Sequence, residues 1–195
     1  GGVYLGALYT LAFFSNDIEW VVREGLKTIP ENTNYHRCIS DVIQWHKTWP
    51  GDWQRTWFEI QRKWAADRSC PDGIFHPFNI DATVNSAYVV LGLLYGKGDF
   101  TKTLEISTRA GQDADCNPSS AGGILGTMLG YEKIPARWKD ALWSAEDIPF
   151  KYTSISLNRA YQLGLKHALA NIEKQGGGVQ GNTVRIPVQV PVPVR

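Results

Sequence analysis

Asp113 and Asp115, separated by one alanine, form the densest candidate chemistry in this 195-residue chain, inside Gly111-Gln112-Asp113-Ala114-Asp115-Cys116-Asn117-Pro118. Alternating carboxylates on a tight loop suit hard cations such as Mg²⁺, Mn²⁺ or Ca²⁺, which take oxygen ligands and need neither thiolate nor imidazole. A bare Asp-x-Asp is also ordinary turn chemistry, because Asp and Asn side chains bond nearby backbone groups. The following residues favour the metal reading. Asn117 is suited to cap a helix and Pro118 to open it, so the spacing predicts a helix from about residue 118. Gly122, Gly126 and Gly130 then recur at every fourth position, with Gly123 beside them. Each interior glycine costs about 0.5–1 kcal/mol relative to alanine. Close approach of another helix backbone to that bare face offsets the cost and holds the acidic loop against a helical core.

A second group, His76, Asn79, Asp81 and Asn85, lies around a predicted loop at residues 68–80 and the first turn of the next helix. Such side chains suit hydroxyl recognition at a pocket rim, although an N-cap role accounts for Asp81 by itself. His36, His46 and His167 have no partner at ligand spacing and read as surface or satisfied, partly buried residues. Cys38, Cys70 and Cys116 are odd in number and lack C-x-x-C spacing. They suggest neither a zinc site nor a fully paired disulfide set, and they leave the compartment open. No G-x-S-x-G elbow, phosphate-binding loop or dinucleotide fingerprint is present, which weakens serine-hydrolase, NTPase and dehydrogenase readings.

The elements that must position these groups read as helices with good caps. Asp17 opens a segment through Trp20, Val21, Val22 and Leu26. Thr33 or Asn34 opens another through Ile39, Val42 and Trp45, ended by Pro50-Gly51. Asp52 starts a third through Trp57, Ile60 and Trp64. Asp81 caps a mostly apolar helix to about Tyr95, and Asp99 caps one through Leu104 and Ile106 that delivers the chain to the acidic loop. Residues 135–142 and 154–173 are further helix candidates. Six of the eight tryptophans fall between Trp20 and Trp64, and core packing explains them better than a ligand surface because each buries a large area. The expected fold is therefore an all-α bundle of antiparallel helices with short connections.

One helical domain is expected over residues 1–175. Residues 176–195 then form a glycine-rich linker and an extended tail or the start of a further module, since Val184, Ile186, Val188, Val190, Val192 and Val194 alternate at strand period. Pro187, Pro191 and Pro193 restrict that strand to an edge or to polyproline-like extension. A net charge of +1 gives no basic footprint for nucleic acid. The longest apolar runs, residues 3–14 and 88–95, fall short of the roughly 20 residues that span a bilayer. The chain starts Gly1-Gly2 rather than with methionine, which suggests a fragment or a processed chain.

The segment Gly111-Gln112-Asp113-Ala114-Asp115-Cys116-Asn117 resembles the C-terminal metal motif of the ADP-ribosylglycohydrolase family, usually written G-G-D-T-D-T-N. Upstream, Gly92-Leu93-Leu94-Tyr95-Gly96 and Asp99-Phe100 resemble the family's approach to the motif. Downstream, Gly130-Tyr131 and Ile134-Pro135-Ala136-Arg137-Trp138 resemble its G-x-x-x-I-P-x-x-W ending. The likeness is specific over residues 76–142 and diffuse over 1–75, and is nearest to a branch with an Asp-x-Asp-Cys-Asn-Pro motif. It implies an all-α fold, a centre of two Mg²⁺ ions (Mn²⁺ being possible), and hydrolysis of the bond joining ribose C1 of ADP-ribose to a protein side chain or another leaving group. By the resemblance Asp113 and Asp115 are metal ligands. Cys116 departs from the family's threonine, and a thiol is a poor ligand for Mg²⁺; Ser119 or Ser120 is a candidate replacement. The Gly1 to Gly6 stretch, with Gly2 and Tyr4, is a candidate glycine loop near the nucleotide, with an ordinary helix start as the alternative.

The family's other ligand group, a Thr-Asp-Asp type motif, belongs to its N-terminal half, and no Asp-Asp pair occurs in the chain. The chain is thus expected to be a C-terminal portion, lacking the other half of its domain. The functional reading is a magnesium-dependent hydrolase of ADP-ribosyl or related N- or O-glycosidic bonds, incomplete as it stands, acting on a small-molecule or ADP-ribosylated substrate. The alternatives are a non-catalytic helical binding module and a hydrolase of another sugar or nucleoside conjugate.

Overall fold

A computed structural model describes residues 1–65 and 80–188. These form two compact units, Gly1–Ile134 and Pro135–Val190. The predicted loop at residues 68–80, including His76 and Asn79, falls almost wholly outside the described residues, as does the end of the tail.

Among the described residues the first unit is built of helices, with α1 (Gly2–Leu11), α2 (Ile18–Leu26), α3 (Asn34–Thr48), α4 (Trp53–Ile60), α5 (Ala82–Gly96), α6 (Phe100–Arg109) and α7 (Cys116–Leu129). A π-helical turn, Gln61–Ala65, extends α4. Local chemistry sets most helix starts: the side chains of Asp17, Thr33, Asp52, Asp81 and Asp99 each accept a backbone N–H in the first turn. Helix α5 is the axis of the unit. Its residues are buried almost without interruption from Val84 to Gly96, as expected of a helix apolar on every side. Tyr4, Leu8, Val22, Ile39, Val42 and Ile60 from the preceding helices and Ile124 and Leu125 from α7 complete the core.

The close approach of one helix backbone to another lies elsewhere than the expected glycine series. A Cβ on Gly92 would stand 3.0 Å from the Thr103 carbonyl oxygen, and one on Gly96 would stand 2.9 Å from Thr103 Cα. Those two glycines let α5 and α6 pack backbone to backbone. On α7, Gly122 instead receives the Leu104 side chain, Gly126 faces Ile134 and Phe100, and Gly123 on another face receives the Tyr9 hydroxyl. The α7 glycines thus accommodate side-chain knobs rather than a second backbone. Gly130 leaves the helix at φ +76°, a region that favours glycine.

In the second unit the expected helix at 135–142 is two single 3₁₀ turns, Ala136–Trp138 and Asp140–Leu142, closed by i to i+3 bonds. Helix α8 (Leu157–Lys174) starts from Ser156, whose hydroxyl accepts the Arg159 N–H. Strands β1 (Gly178–Gln180) and β2 (Thr183–Arg185) form an antiparallel hairpin with Val179 opposite Val184, turning at Gly181 with φ +58°. Extended structure therefore begins inside the glycine run, before the valine alternation. Gly177 is needed there because a Cβ would lie 2.5 Å from the Arg185 carbonyl oxygen. Among the described residues no helix is long and apolar enough to cross a membrane.

Candidate metal centre

The acidic loop is shaped by two successive left-handed residues, Gly111 at φ +86° and Gln112 at φ +58°. Glycine adopts that region freely, but for a residue with a Cβ it costs on the order of 1–2 kcal/mol. The surroundings hold the turn in place. Trp57 Nε1 on α4 donates to the Ala110 carbonyl at 2.7 Å, fixing the chain one residue before the turn. Asn85 on α5 fixes it after the turn: its Oδ1 accepts from the Asp113 N–H at 3.1 Å and from Asn117 Nδ2 at 2.8 Å. Asn85 and Asn117 are both buried, so this three-way polar contact is largely shielded from water, where unsatisfied groups are costly.

Helix α7 starts at Cys116, two residues earlier than expected, with Asp115 as its N-cap. Asn117 is not the cap; its amide is drawn inward to Asn85. Pro118 still fits, because the first turn of a helix has backbone N–H groups without intrahelical acceptors.

On this frame the ligand atoms of Asp113, Asp115 and Cys116 lie within 4.8 Å of one another. Asp113 is half-buried and the other two are exposed. A hydrogen bond with Asp113 holds the Asp115 carboxyl below the usual carboxylate range, helped by N–H groups at the helix start. The same Asp113 carboxyl, by hydrogen bond and by charge, pushes the Cys116 thiol up. The donor set fits a hard cation through its two carboxylates, while Cys116 offers a thiol that such ions bind poorly.

The other candidates divide sharply. Asn85 meets the loop, but as its clamp. Ser119 is exposed on the first turn of α7, its N–H donating to the Asp115 carbonyl at 3.2 Å. Gly2 is exposed and is the first residue of α1, so the glycine stretch is a helix rather than a loop. Tyr4 is not available to a ligand: it is fully buried, and its hydroxyl donates to the Val22 carbonyl at 3.0 Å. Its period on α1 turns it into the core against Tyr35. His76 and Asn79 lie outside the described residues. Gly1 packs on Ala82 and Ser86 of α5, so the starts of α1 and α5 meet, and Asn85 joins the start of α5 to that of α7. The starts of α5 and α7, with their partial positive charge, thus meet at the acidic loop. The sequence reading missed the Trp57 contact, for which the tryptophan-rich composition was the only signal.

The helical fold agrees with a comparison against known families. The ADP-ribosylglycohydrolase family model matches residues 1–163. The chain belongs to the ADP-ribosylglycohydrolase family. Comparison with curated proteins finds no match, and comparison with solved structures finds none either.

Proposed function

We propose that this chain carries one half of the metal centre of a magnesium-dependent hydrolase that cleaves ADP-ribosyl or related N- or O-glycosidic bonds. The observation that carries the reading is the convergence of the Asp113 and Asp115 carboxylates on a loop clamped from both sides. These two side chains would hold the cation, with Mn²⁺ an acceptable substitute for Mg²⁺. A bound divalent cation supplies the charge that orients a ribose diol and activates a water. The remaining work belongs to the chain. Asn85 and Asn117 hold the Asp113 backbone in place, and the starts of α5 and α7 favour an anionic substrate such as a diphosphate. A second ligand set, of the Asp-Asp type that this chain lacks, would have to come from elsewhere to hold a second ion.

Isothermal titration with Mg²⁺ tests the site directly. Asp113→Ala and Asp115→Ala should each weaken binding by about tenfold or more, the scale expected when a charged ligand is removed. Equal affinity in wild type and both variants would rule out the ligand role.

A further inference from the structure

None of the cavities described in the first unit includes the acidic loop, and one of them has a chemistry of its own. It occupies about 310 Å³ between the C-terminal end of α5, one face of α6 and the turn into α4. Trp53, Tyr95 and Ile106 line it with apolar surface, and Lys97, Lys102 and Arg109 are on its rim. The one acidic lining residue, Glu105, is bonded to Arg109 at 2.9 Å. Among the described residues neither Lys97 nor Lys102 forms an ion pair, although Lys97 also borders a neighbouring hollow with Asp17 and Glu19. Asn85 and Tyr95 are ten residues apart on α5, about 15 Å at 1.5 Å per residue. The hollow is therefore separate from the acidic loop.

Lys97 is fixed in place by the way α5 ends. It ends α5 in the left-handed region at φ +52°, with Gly98 following at φ +83°. For a residue with a Cβ that conformation costs on the order of 1–2 kcal/mol, which glycine would avoid. A left-handed residue commonly ends a helix, and here a lysine takes the place that glycine usually fills.

We propose that this hollow binds a mononucleotide, a flat ring joined to a phosphate, at a site distinct from the metal centre. Lys97 and Lys102 hold the phosphate, and Trp53, with Arg109 beside it, offers the surface on which the ring stacks. The volume is near the lower limit of small-molecule pockets, about 300–1,000 Å³, which suits one nucleotide and not two.

Quenching of tryptophan fluorescence by adenosine monophosphate, measured on the 195-residue chain in the presence of chelator, tests the proposal. Saturable binding is expected in wild type and in Asp113→Ala alike. Lys97→Gly, which suits the left-handed backbone, and Lys102→Glu should each weaken it by about tenfold or more. The urea midpoint of Lys97→Gly should be at or above that of wild type, which separates lost binding from lost folding. Adenosine and inorganic phosphate should each bind more weakly than the nucleotide. The site is overturned by absence of saturable quenching, or by unchanged affinity in both lysine variants, which would mark them as solvated surface lysines. Loss of binding in Asp113→Ala alone would place the ligand at the acidic loop and overturn it too. Inorganic phosphate binding as tightly as the nucleotide would remove the ring from the proposal.

Discussion

Asn85 illustrates what a single side chain does here that its position in sequence does not announce. Its chemistry suggested hydroxyl recognition, whereas its Oδ1 accepts from residues 28 and 32 positions further along the chain. Spacing within a helix carries no information about such a contact, so the Asp pair was legible and its clamp was not. Asn85→Ala should cost about 1–3 kcal/mol, the penalty for leaving buried polar groups unpaired, and should also weaken Mg²⁺ binding. The urea midpoint and a Mg²⁺ titration report the two effects separately; loss of stability with full Mg²⁺ affinity would mean that Asp113 needs no clamp. Cys116 makes the opposite kind of point, because the sequence alone exposed its mismatch with a hard ion. The structure adds that Asp113 pushes the thiol towards its protonated form. Cys116→Thr replaces a soft atom by a hydroxyl oxygen and should tighten Mg²⁺ binding while weakening Cd²⁺ binding. Parallel titrations with the two ions check this, and an unchanged Mg²⁺ to Cd²⁺ preference would remove residue 116 from the metal's surroundings.

At the scale of elements, what was legible was local. Aspartates at 17, 52, 81 and 99 cap helices through bonds spanning two or three residues, and a short sequence window contains both partners. The start of α7 was misplaced because a tertiary contact claimed the expected cap: Asn117 bonds to Asn85, leaving Asp115 at the helix start. The role of the glycines was misjudged for a related reason. Both α5 and α7 carry glycines four residues apart, and only the partner decides which pair meets backbone. Gly96→Ala would drive a Cβ into Thr103, with the α6 backbone behind it, whereas Gly122→Ala meets the mobile end of Leu104. Overpacking should therefore cost about 1–3 kcal/mol or more at Gly96 and less at Gly122. Urea denaturation of the two variants gives the ordering directly, and equal midpoints would show that α6 shifts as readily as a leucine side chain.

Across the whole molecule, the family match and the division into compact units do not coincide. The match ends at residue 163, partway through α8, while the structural boundary falls after Ile134. The acidic loop belongs to the first unit, whose core is built around α5, and among the described residues that unit brings two carboxylates, Asp113 and Asp115, to the candidate centre. Catalysis by a metal depends on fixed coordination with an open position for water or substrate. Two carboxylates and a soft thiol leave a hard cation, which prefers six or more oxygen ligands, largely to solvent. The 195-residue chain alone should accordingly show little or no release of ADP-ribose from modified protein. A longer protein that supplies an Asp-Asp ligand pair to the same loop should release it only when a divalent cation is present. The assay follows ADP-ribose with Mg²⁺ and with chelator for both proteins. Chelator-sensitive turnover by the 195-residue chain would overturn the claim that its centre is incomplete. An inactive longer protein, tried across several ADP-ribosyl linkages, would move the reading towards another sugar conjugate or a non-catalytic binding module, even with Mg²⁺ bound at Asp113 and Asp115.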